Sequence, residues 1–557
     1  MIFRTLECEE IMSESIDFQV LCPDFPFDYL PWLTARHGLG GLPEERKGTP
    51  VAIVGAGIAG MVAAYELMRL GLRPVIYEAG WIGGRLRSHR FEGVDSDIIA
   101  ELGGMRFPAS GKLFWHYADL LNLRRQAFPN PISEAAGHTT VELLGRRYHG
   151  SRLEDFPDSF THIMSAWRRA LNEVGQMDKL QQAMREKDVA KIKEIWNGLV
   201  RCWDDRTFYD FLCSAQAFVN LPYEFKETFG QIGFGTGGWD SDFQNTMLEI
   251  FRVVFCAYDD HQYMVIGGAQ QVPCGLWSHH CHHASSLKEV NSGAPHGKVK
   301  RIYRHADGVS LVLENEWGMA ESYAAVVLTC QSWLLTTSIE VEEALFSDRM
   351  WMALDRTRYM QSSKTFVLVD RPFWKHTKYN ANAQSLSMTL TDRLTRGTYL
   401  FEYGLERPAV ICLTYSWMGD ALKMLPLSIE KRTRLSLSSL SKIYPDVDIA
   451  SHIKSNPVTI SWEMEENFLG AFKGALPGHY RYNRLMYTHF YQRTFPIKQR
   501  GIFLAGDDIS FTPGWAEGAI QTALNAVWGV LHHLGGKSHP QNPGPGDCLL
   551  EMGPVDL

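Results

Sequence analysis

Three glycines and one acid are spaced as a dinucleotide-binding site requires. Gly55, Gly57 and Gly60 form a G-x-G-x-x-G motif, and Glu78 follows at the end of the next apolar run. In such a site the first glycine permits a tight turn, the second lets the backbone approach a pyrophosphate, and the third lets a helix pack closely on a strand. The acid then hydrogen-bonds a ribose hydroxyl. These residues predict a bound dinucleotide.

The residues around the motif predict the elements that must position it. The apolar run Val51–Val54 predicts a buried strand, the apolar residues of 60–70 recur at helical spacing, and Pro74–Glu78 predicts a second strand. A turn between strand and helix leaves the N–H groups of the first helical turn free to bind phosphate. The stretch therefore predicts the start of a Rossmann-type domain.

Two arginines follow glycine pairs further along the chain. Arg85 lies in the run Gly83-Gly-Arg-Leu-Arg-Ser88, and Arg106 lies in Gly103-Gly-Met-Arg-Phe107. A guanidinium can donate two parallel hydrogen bonds to a phosphate or a carboxylate. The first run resembles the GG-R-x-x-S signature of FAD-dependent amine oxidases, and the second resembles the loop that passes the flavin ring in their amino-acid-oxidising branch. The resemblance implies FAD, which we expect to be non-covalent because no cysteine lies in an attachment motif.

The resemblance assigns FAD contacts to residues in several parts of the chain. A strand contact to adenine is implied at Val299, and an acid near the ribityl chain is implied at Asp507. The residues with an implied contact to FAD are Gly55, Gly57, Ile58, Ala59, Gly60, Glu78, Ala79, Gly84, Arg85, Gly103, Gly104, Met105, Arg106, Val299, Gly506, Asp507, Trp515 and Ala519.

The same resemblance implies two domains, each built from separated parts of the chain. The fold class is α/β, with a Rossmann-type FAD-binding domain of the amine oxidase and glutathione reductase kind and a discontinuous α+β substrate domain. The FAD-binding domain is predicted at 45–111, 261–345 and 494–545, and the substrate domain at 112–260, which we expect to be helical, and 346–493. Residues 1–44 form an N-terminal arm, which we expect to pack in an extended form against the body or a partner subunit because its prolines and aromatics show no period.

The composition is that of a soluble globular enzyme. Of the 557 residues, 45% are hydrophobic and 21% are charged, and the net charge is −8. The absence of blocks of like charge argues against nucleic acid as a partner, and no apolar run reaches the roughly 18 residues of a membrane helix. The ten cysteines include no CxxC pair, and the adjacent side chains of His279–His283 do not have the spacing of a metal site. We expect a cytoplasmic homodimer that acts on a small molecule.

Four short runs of residues narrow the resemblance to one branch of the amine oxidases. They are Gly104-Met-Arg-Phe107, Ser362-Ser-Lys364, Tyr415-Ser-Trp417 and Trp515-Ala-Glu-Gly-Ala519. Together they resemble the bacterial amino-acid 2-monooxygenase family, and most of all its members that act on L-lysine. The resemblance implies oxidative decarboxylation of L-lysine by O2 to 5-aminovaleramide, CO2 and water, with a hydride passing from the substrate Cα to flavin N5. It also implies an oxidase side activity that gives the keto acid, ammonia and hydrogen peroxide.

An amino-acid substrate brings a carboxylate into a dry pocket, where an unpaired charge is costly. Arg106 is the predicted partner of that carboxylate, and the resemblance implies that Tyr415 adds a hydroxyl donor. Trp515 matches the aromatic position beside the flavin ring. Lys364 matches the lysine that approaches N5 through a water, where a cation stabilises charge developing on oxygen. The predicted catalytic residues are therefore Arg106, Lys364 and Trp515.

Specificity for a cationic side chain requires an acid at the far end of the pocket. Asp240 and Asp242 follow a glycine-rich stretch and are the predicted candidates. Cys256 and Phe468 are further candidates for the substrate pocket.

Three other functions are left open by the sequence. One is an L-amino-acid oxidase that acts on lysine or on another basic amino acid such as arginine or ornithine. A second is a polyamine oxidase, which would not need Arg106. The third is a non-catalytic FAD-binding protein.

Overall fold

The strands and helices come from a computed structural model that describes residues 20–232, 243–281, 285–375 and 385–557. In these ranges the strands are β1 (Pro50–Val54), β2 (Arg73–Tyr77), β3 (Ser88–Arg90), β4 (Ile99–Glu101), β5 (Phe107–Pro108), β6 (Arg125–Ala127), β7 (Thr139–Leu143), β8 (Arg146–Gly150), β9 (Gln262–Val265), β10 (Val299–Arg304), β11 (Leu311–Asn315), β12 (Ala320–Tyr323), β13 (Ala325–Leu328), β14 (Glu340–Val341), β15 (Tyr359–Met360), β16 (Ser362–Val369), β17 (Met388–Thr391), β18 (Gly397–Phe401), β19 (Ala409–Trp417), β20 (Val458–Ser461), β21 (Phe472–Lys473) and β22 (Ile502–Leu504). The α-helices are α1 (Tyr29–Thr34), α2 (Ile58–Arg69), α3 (Lys112–Leu120), α4 (Asp158–Gly175), α5 (Met177–Glu186), α6 (Val189–Trp203), α7 (Phe208–Ser214), α8 (Gln216–Val219), α9 (Tyr223–Ile232), α10 (Met247–Phe255), α11 (Gln271–Ser278), α12 (Leu287–Val290), α13 (Leu334–Thr337), α14 (Asp348–Arg356), α15 (Met418–Met424), α16 (Ile429–Ile443), α17 (Tyr480–Tyr487), α18 (Ala516–His533) and α19 (Pro545–Met552).

Four parallel strands form the sheet that the glycine motif predicts, in the order β2-β1-β13-β22. All four are almost wholly buried, as expected for short apolar runs in a parallel sheet that is covered on both faces. β1 pairs with β2 from Pro50 opposite Arg73 to Val54 opposite Tyr77, and it pairs with β13 on its other side. The predicted Rossmann-type α/β fold is confirmed, whereas the domain boundaries stay predictions.

Helix α2 packs on this sheet and on the long helix α18, and Gly60 lies close to the turn after β1. A Cβ atom at Gly60 would lie only 1.9 Å from the backbone oxygen of Gly55 and 2.9 Å from Oγ1 of Thr329. Any larger residue would push the helix away from the strand. Gly60 therefore has the packing role that the motif predicts.

A mixed sheet of seven strands forms the second large layer, in the order β20-β16-β19-β18-β17-β7-β8. β16 and β19 are antiparallel, and Lys364 lies opposite Tyr415. The expectation of helices throughout 112–260 is wrong for β6, β7 and β8. In β7 the sequence Thr139-Thr-Val141 is β-branched, which favours a strand, and all five residues of this strand are buried in the sheet.

The smaller sheet β12-β11-β10-β14 contains an antiparallel hairpin of β10 and β11, which begins at Val299. Helices α4 to α9 form most of the remaining helical region, and Trp167 and Trp196 are among the largest side chains in its core. Across the described ranges, no helix combines the length and the apolar character that crossing a membrane demands.

The described part of the N-terminal arm, from residue 20, packs into the core of the body. Phe25, Tyr29 and Trp32 are buried, and the Tyr29 hydroxyl donates to Oδ1 of Asn525 in α18 at 2.7 Å. The expectation of an extended arm is wrong for α1, where the packing of aromatic side chains against the body outweighs the weak local signal.

Candidate active site

One large cavity, of about 320 Å³, lies along the carboxyl ends of the four parallel strands and reaches the seven-stranded sheet. The carboxyl edge of an open parallel sheet is where α/β proteins bind dinucleotides. All but one of the residues with an implied FAD contact line this cavity; the exception is Gly60, which lies behind the turn. The structure therefore brings together residues that are hundreds of positions apart in the sequence.

The dinucleotide end of the cavity is formed mainly by backbone atoms of the glycine turn and the start of α2. Gly55 has a φ of +111°, which glycine adopts easily, and the chain then enters α2 at Gly57 with no side-chain cap. Glu78 accepts hydrogen bonds from the backbone N–H groups of Ala56 and Gly80, each at 2.7 Å, and burial raises the pKa of this carboxyl. The N–H groups at the start of α2 stay available to a phosphate.

Arg85 and Asp507 hold the middle of the cavity together. The guanidinium donates to Oδ1 of Asp507 at 2.5 Å and to Oδ2 at 3.2 Å, and it also donates to the backbone oxygen of Ala471. Asp507 accepts a further bond from the N–H of Gly514. The two residues implied to contact the pyrophosphate and the ribityl chain thus form a bidentate ion pair with each other.

An unpaired buried atom supports a hydroxyl-rich ligand in this region. Gln331 follows β13 on the cavity wall, and its amide nitrogen donates to the backbone oxygen of Gly470 at 3.0 Å. Its Oε1 atom is buried and has no hydrogen-bond partner within the described part of the chain. FAD offers phosphates to the start of α2 and hydroxyl donors to such an acceptor, so the residues present fit FAD. Sequence reasoning missed Gln331, which belongs to no motif.

Lys364 lies on β16 with its ammonium buried at the cavity wall. Its Nζ atom donates to the backbone oxygens of Glu101, at 3.1 Å, and Gly103, at 2.5 Å. Burial lowers the pKa of Lys364 to about 8, and burial raises the pKa of the neighbouring Glu101 carboxyl to about 7. Nζ also lies 4.8 Å from the centroid of the Tyr415 ring.

Arg106 lies in a cage of aromatic rings. Its Cζ atom is 5.5 Å from the ring centroid of Phe128 and 5.8 Å from those of Tyr399 and Tyr415. The side chain donates to Oδ1 of Asn130 at 3.3 Å, and the residue is only 9% exposed. Among the described residues, no carboxylate lies within 4.0 Å of this guanidinium. Because a buried unpaired charge is costly, the cage is suited to an anionic ligand.

Trp515 and Ala519 line the cavity at the start of α18, which carries no side-chain cap at Trp515. The Trp515 ring lies 5.1 Å from that of Tyr258. The side chain of Glu517, which lies between them in sequence, accepts hydrogen bonds from the backbone N–H groups of Leu113 and Phe114 in α3. The free end of α18 can therefore stabilise negative charge in the cavity.

The predicted residues of the substrate pocket have three different outcomes. Phe468 lies on the cavity wall, 5.1 Å from the ring of Trp462. Cys256 is buried where α10 ends and is not part of the wall. Asp240 and Asp242 lie outside the described residues.

Several wall residues at this end were missed from the sequence. Trp417 belongs to the run Tyr415-Ser-Trp417 and lies two residues after Tyr415 in β19. Strand alternation could therefore have placed both side chains on the same face. Glu249, Arg252, Phe472 and Lys473 also line the cavity. No local signal marks these four, since their place on the wall depends on tertiary packing.

The profile of the family described as flavin containing amine oxidoreductase matches residues 58–531. The chain therefore belongs to the flavin-containing amine oxidoreductases, and FAD is its cofactor.

Two relatives and one solved structure are similar to this chain over most of its length. It is 30% identical to tryptophan 2-monooxygenase of Pseudomonas savastanoi, over 94% of this chain and 97% of that protein. It is 25% identical to an L-amino-acid oxidase of Siganus canaliculatus, over 88% of this chain and 86% of the relative. A redesigned putrescine oxidase shares the fold, with a TM-score of 0.64 at 17% identity, over 87% of this chain and 99% of that one.

Proposed function

We propose that this protein is an L-lysine 2-monooxygenase, which converts L-lysine and O2 to 5-aminovaleramide, CO2 and water. The observation that carries the proposal is the Arg106 cage, a buried cation on the wall of an FAD cavity with no carboxylate partner among the described residues. An α-amino acid supplies the missing carboxylate. The relatives named as a tryptophan 2-monooxygenase and an L-amino-acid oxidase support a substrate of this class.

FAD supplies the two-electron acceptor for the substrate Cα–H bond and the group that then reacts with oxygen. Arg106 binds the α-carboxylate, and Tyr415, whose ring lies against the same guanidinium, adds its hydroxyl. Burial raises the pKa of Tyr415 to about 12, so this hydroxyl keeps its proton and acts as a donor at neutral pH. Trp515 forms the aromatic wall beside the reacting carbon. Such fixed orientation can lower a barrier by several kcal/mol.

Lys364 serves the oxygen half of the reaction. Its ammonium is held by the backbone oxygens of Glu101 and Gly103, and among the described residues no carboxylate oxygen lies within 4.0 Å of it. A fixed cation stabilises negative charge as it develops on oxygen. If the imino acid is retained while oxygen reacts, decarboxylation to the amide follows. If the imino acid leaves first, the result is the keto acid, ammonia and hydrogen peroxide.

We propose Asp240 and Asp242 as partners of the lysine side chain, on the sequence argument alone. Phe468 is proposed as part of the pocket wall, since it lines the cavity between Trp81 and Trp462. Cys256 is also proposed for this pocket, where it is buried behind the wall.

A second candidate is an L-amino-acid oxidase for basic amino acids, and the Siganus canaliculatus relative favours it. It would use the same Arg106 cage and differ only in when the imino acid leaves. A polyamine oxidase is less well supported, because a diamine has no carboxylate for Arg106.

The test is anaerobic mixing of the purified protein with L-lysine, followed by oxygen and mass spectrometry of the products. Flavin bleaching with 5-aminovaleramide as product supports the proposal. Bleaching with only the keto acid and peroxide makes the protein an oxidase. Bleaching by cadaverine in preference to lysine would favour a polyamine oxidase, and no bleaching by any amino acid or amine would remove the proposal.

A further inference from the structure

Glu249 brings a carboxylate to the cavity wall at the end lined by α10. Its Oε1 atom accepts the backbone N–H of Ala475 at 2.5 Å, and its Oε2 atom accepts the side-chain amide of Asn245 at 2.6 Å. The residue lines the cavity and is only partly exposed. Each carboxylate oxygen can accept two hydrogen bonds, so one site on each oxygen is left for a ligand.

Aromatic rings lead from the Arg106 cage to the segment whose backbone Glu249 contacts. The Tyr415 ring, which packs on Arg106, lies 5.4 Å from the Trp417 ring, and Trp417 lies 5.4 Å from Phe472. Phe472 directly precedes Lys473, and both residues line the cavity. The cavity wall therefore includes the Arg106 cation, a run of aromatic rings, and the Glu249 carboxylate, which contacts the same segment at Ala475. A long basic amino acid has the complementary groups, which are a carboxylate, methylenes and an ammonium.

The cations near Glu249 already have partners of their own. Arg252, one turn further along α10, donates to both carboxylate oxygens of Asp24, at 2.7 and 2.9 Å. The ammonium of Lys473 donates to the backbone oxygens of Asp508 and Ser510. Among the described residues, no lysine, arginine or histidine nitrogen lies within 4.0 Å of the Glu249 carboxylate.

Burial raises the pKa of Glu249 to about 7, although the positive charges of Arg252 and Lys473 act in the opposite direction. Desolvation outweighs these charges and the two hydrogen bonds, so a further positive partner would stabilise the anion. A ligand ammonium at this point would supply the missing compensation. A neutral side chain would leave the anion as it is.

We propose that Glu249 is a specificity-determining residue that binds the side-chain ammonium of a basic amino-acid substrate. This role rests on the proposed function and adds a recognition group for the side chain. It accounts for a carboxylate that faces the cavity and has no basic partner in the described chain.

The test is the variant Glu249→Gln, which keeps the size of the side chain and removes its charge. The dissociation constants of L-lysine and of L-norleucine, which lacks the ammonium, are measured for the holoenzyme by anaerobic flavin titration. We expect lysine to bind about 10- to 100-fold more weakly, since hydrogen bonds to charged groups contribute about 1.5–3 kcal/mol. Norleucine should bind within about threefold of its wild-type value. The matched control is Glu66→Gln, a buried carboxylate that does not line the cavity and should leave the ratio unchanged.

Equal changes for lysine and norleucine in Glu249→Gln would overturn the role of Glu249 and leave the proposed function standing. Failure of the wild-type flavin to respond to lysine, arginine or ornithine would remove both. If Glu249→Gln does not fold, the wild type provides the test, because the preference for lysine over norleucine should decrease as the pH is lowered from 8 to 6 and the carboxylate is protonated. A constant preference over that range would overturn the role.

Discussion

Two buried arginines line the same cavity, and their surroundings differ. Arg252 is 2% exposed and donates two hydrogen bonds to Asp24, which is itself fully buried. Arg106 is 9% exposed, donates to Asn130 and lies among aromatic rings, and no carboxylate lies within 4.0 Å of it in the described ranges.

The difference between the two arginines lies in the counter-ion and not in burial. The charge of Arg252 is balanced within the protein, so this pair holds the arm against α10. The charge of Arg106 is not balanced by the described chain, and a buried cation in that state favours an anionic ligand. We therefore expect changes at the first pair to affect stability and changes at Arg106 to affect substrate binding.

The largest effect is expected from Asp24→Asn, which leaves the Arg252 cation buried without its partner. Breaking a buried ion pair in this way costs about 3–5 kcal/mol. The melting temperature of the holoenzyme, measured by calorimetry, should fall by several degrees. The double variant Asp24→Leu with Arg252→Met should recover much of the loss, because replacing both charges removes the unpaired cation. A melting temperature unaffected by Asp24→Asn would show that the pair does not stabilise the fold.

Arg106→Met should lower the activity and not the melting temperature, which is the reverse of the result expected for Asp24→Asn. We expect kcat/KM for L-lysine to fall by about 30- to 1,000-fold, because the carboxylate loses its charged partner at a cost of about 2–4 kcal/mol. The melting temperature without substrate should stay the same or rise, since an unbalanced cation is removed. Steady-state kinetics and calorimetry on one preparation check both points. Unchanged kinetics would remove Arg106 from the site.

Lys364 adds a third cation, which is held by backbone oxygens and not by a carboxylate. Lys364→Met should slow the reaction of the reduced enzyme with oxygen about 10- to 100-fold, with a smaller effect on reduction by substrate. Stopped-flow measurement of the two half-reactions separates them. Equal slowing of both would contradict the role.

The pH dependence of the same reaction gives an independent check. Burial lowers the pKa of Lys364 to about 8, so its ammonium is present below that pH and is lost above it. The wild-type reaction with oxygen should therefore slow as the pH rises through about 8. The Lys364→Met variant should lack this slowing.

The smallest effect is expected from Tyr415→Phe, which removes one hydroxyl donor from the carboxylate and keeps the ring against Arg106. Loss of such a bond costs about 0.5–1.5 kcal/mol, so KM should rise about three- to tenfold. The dissociation constant from flavin titration is the direct measurement. A value equal to that of wild type would show that the hydroxyl does not contact the substrate.

Local sequence signals predicted the cofactor end of the molecule well and the substrate end poorly. The glycine turn, the strand Val51–Val54 and the helix after it are specified by residues close together in the sequence, so they could be predicted. The strands at 139–150 were missed because a search for helical spacing does not detect short β-branched runs. Glu249 and the Asp24–Arg252 pair could not be found, since they depend on contacts between segments far apart in the chain.

The buried arm has a consequence for how the chain is made. Asp24 is synthesised 228 residues before Arg252, and Tyr29 is synthesised 496 residues before its partner Asn525. At typical ribosomal rates of roughly 5–20 residues per second, these partners emerge tens of seconds later. The apolar side chains of the arm must stay in solution, or on a chaperone, for that time. The yield of folded protein should therefore respond to the sequence of the arm more strongly than the activity of the finished enzyme does.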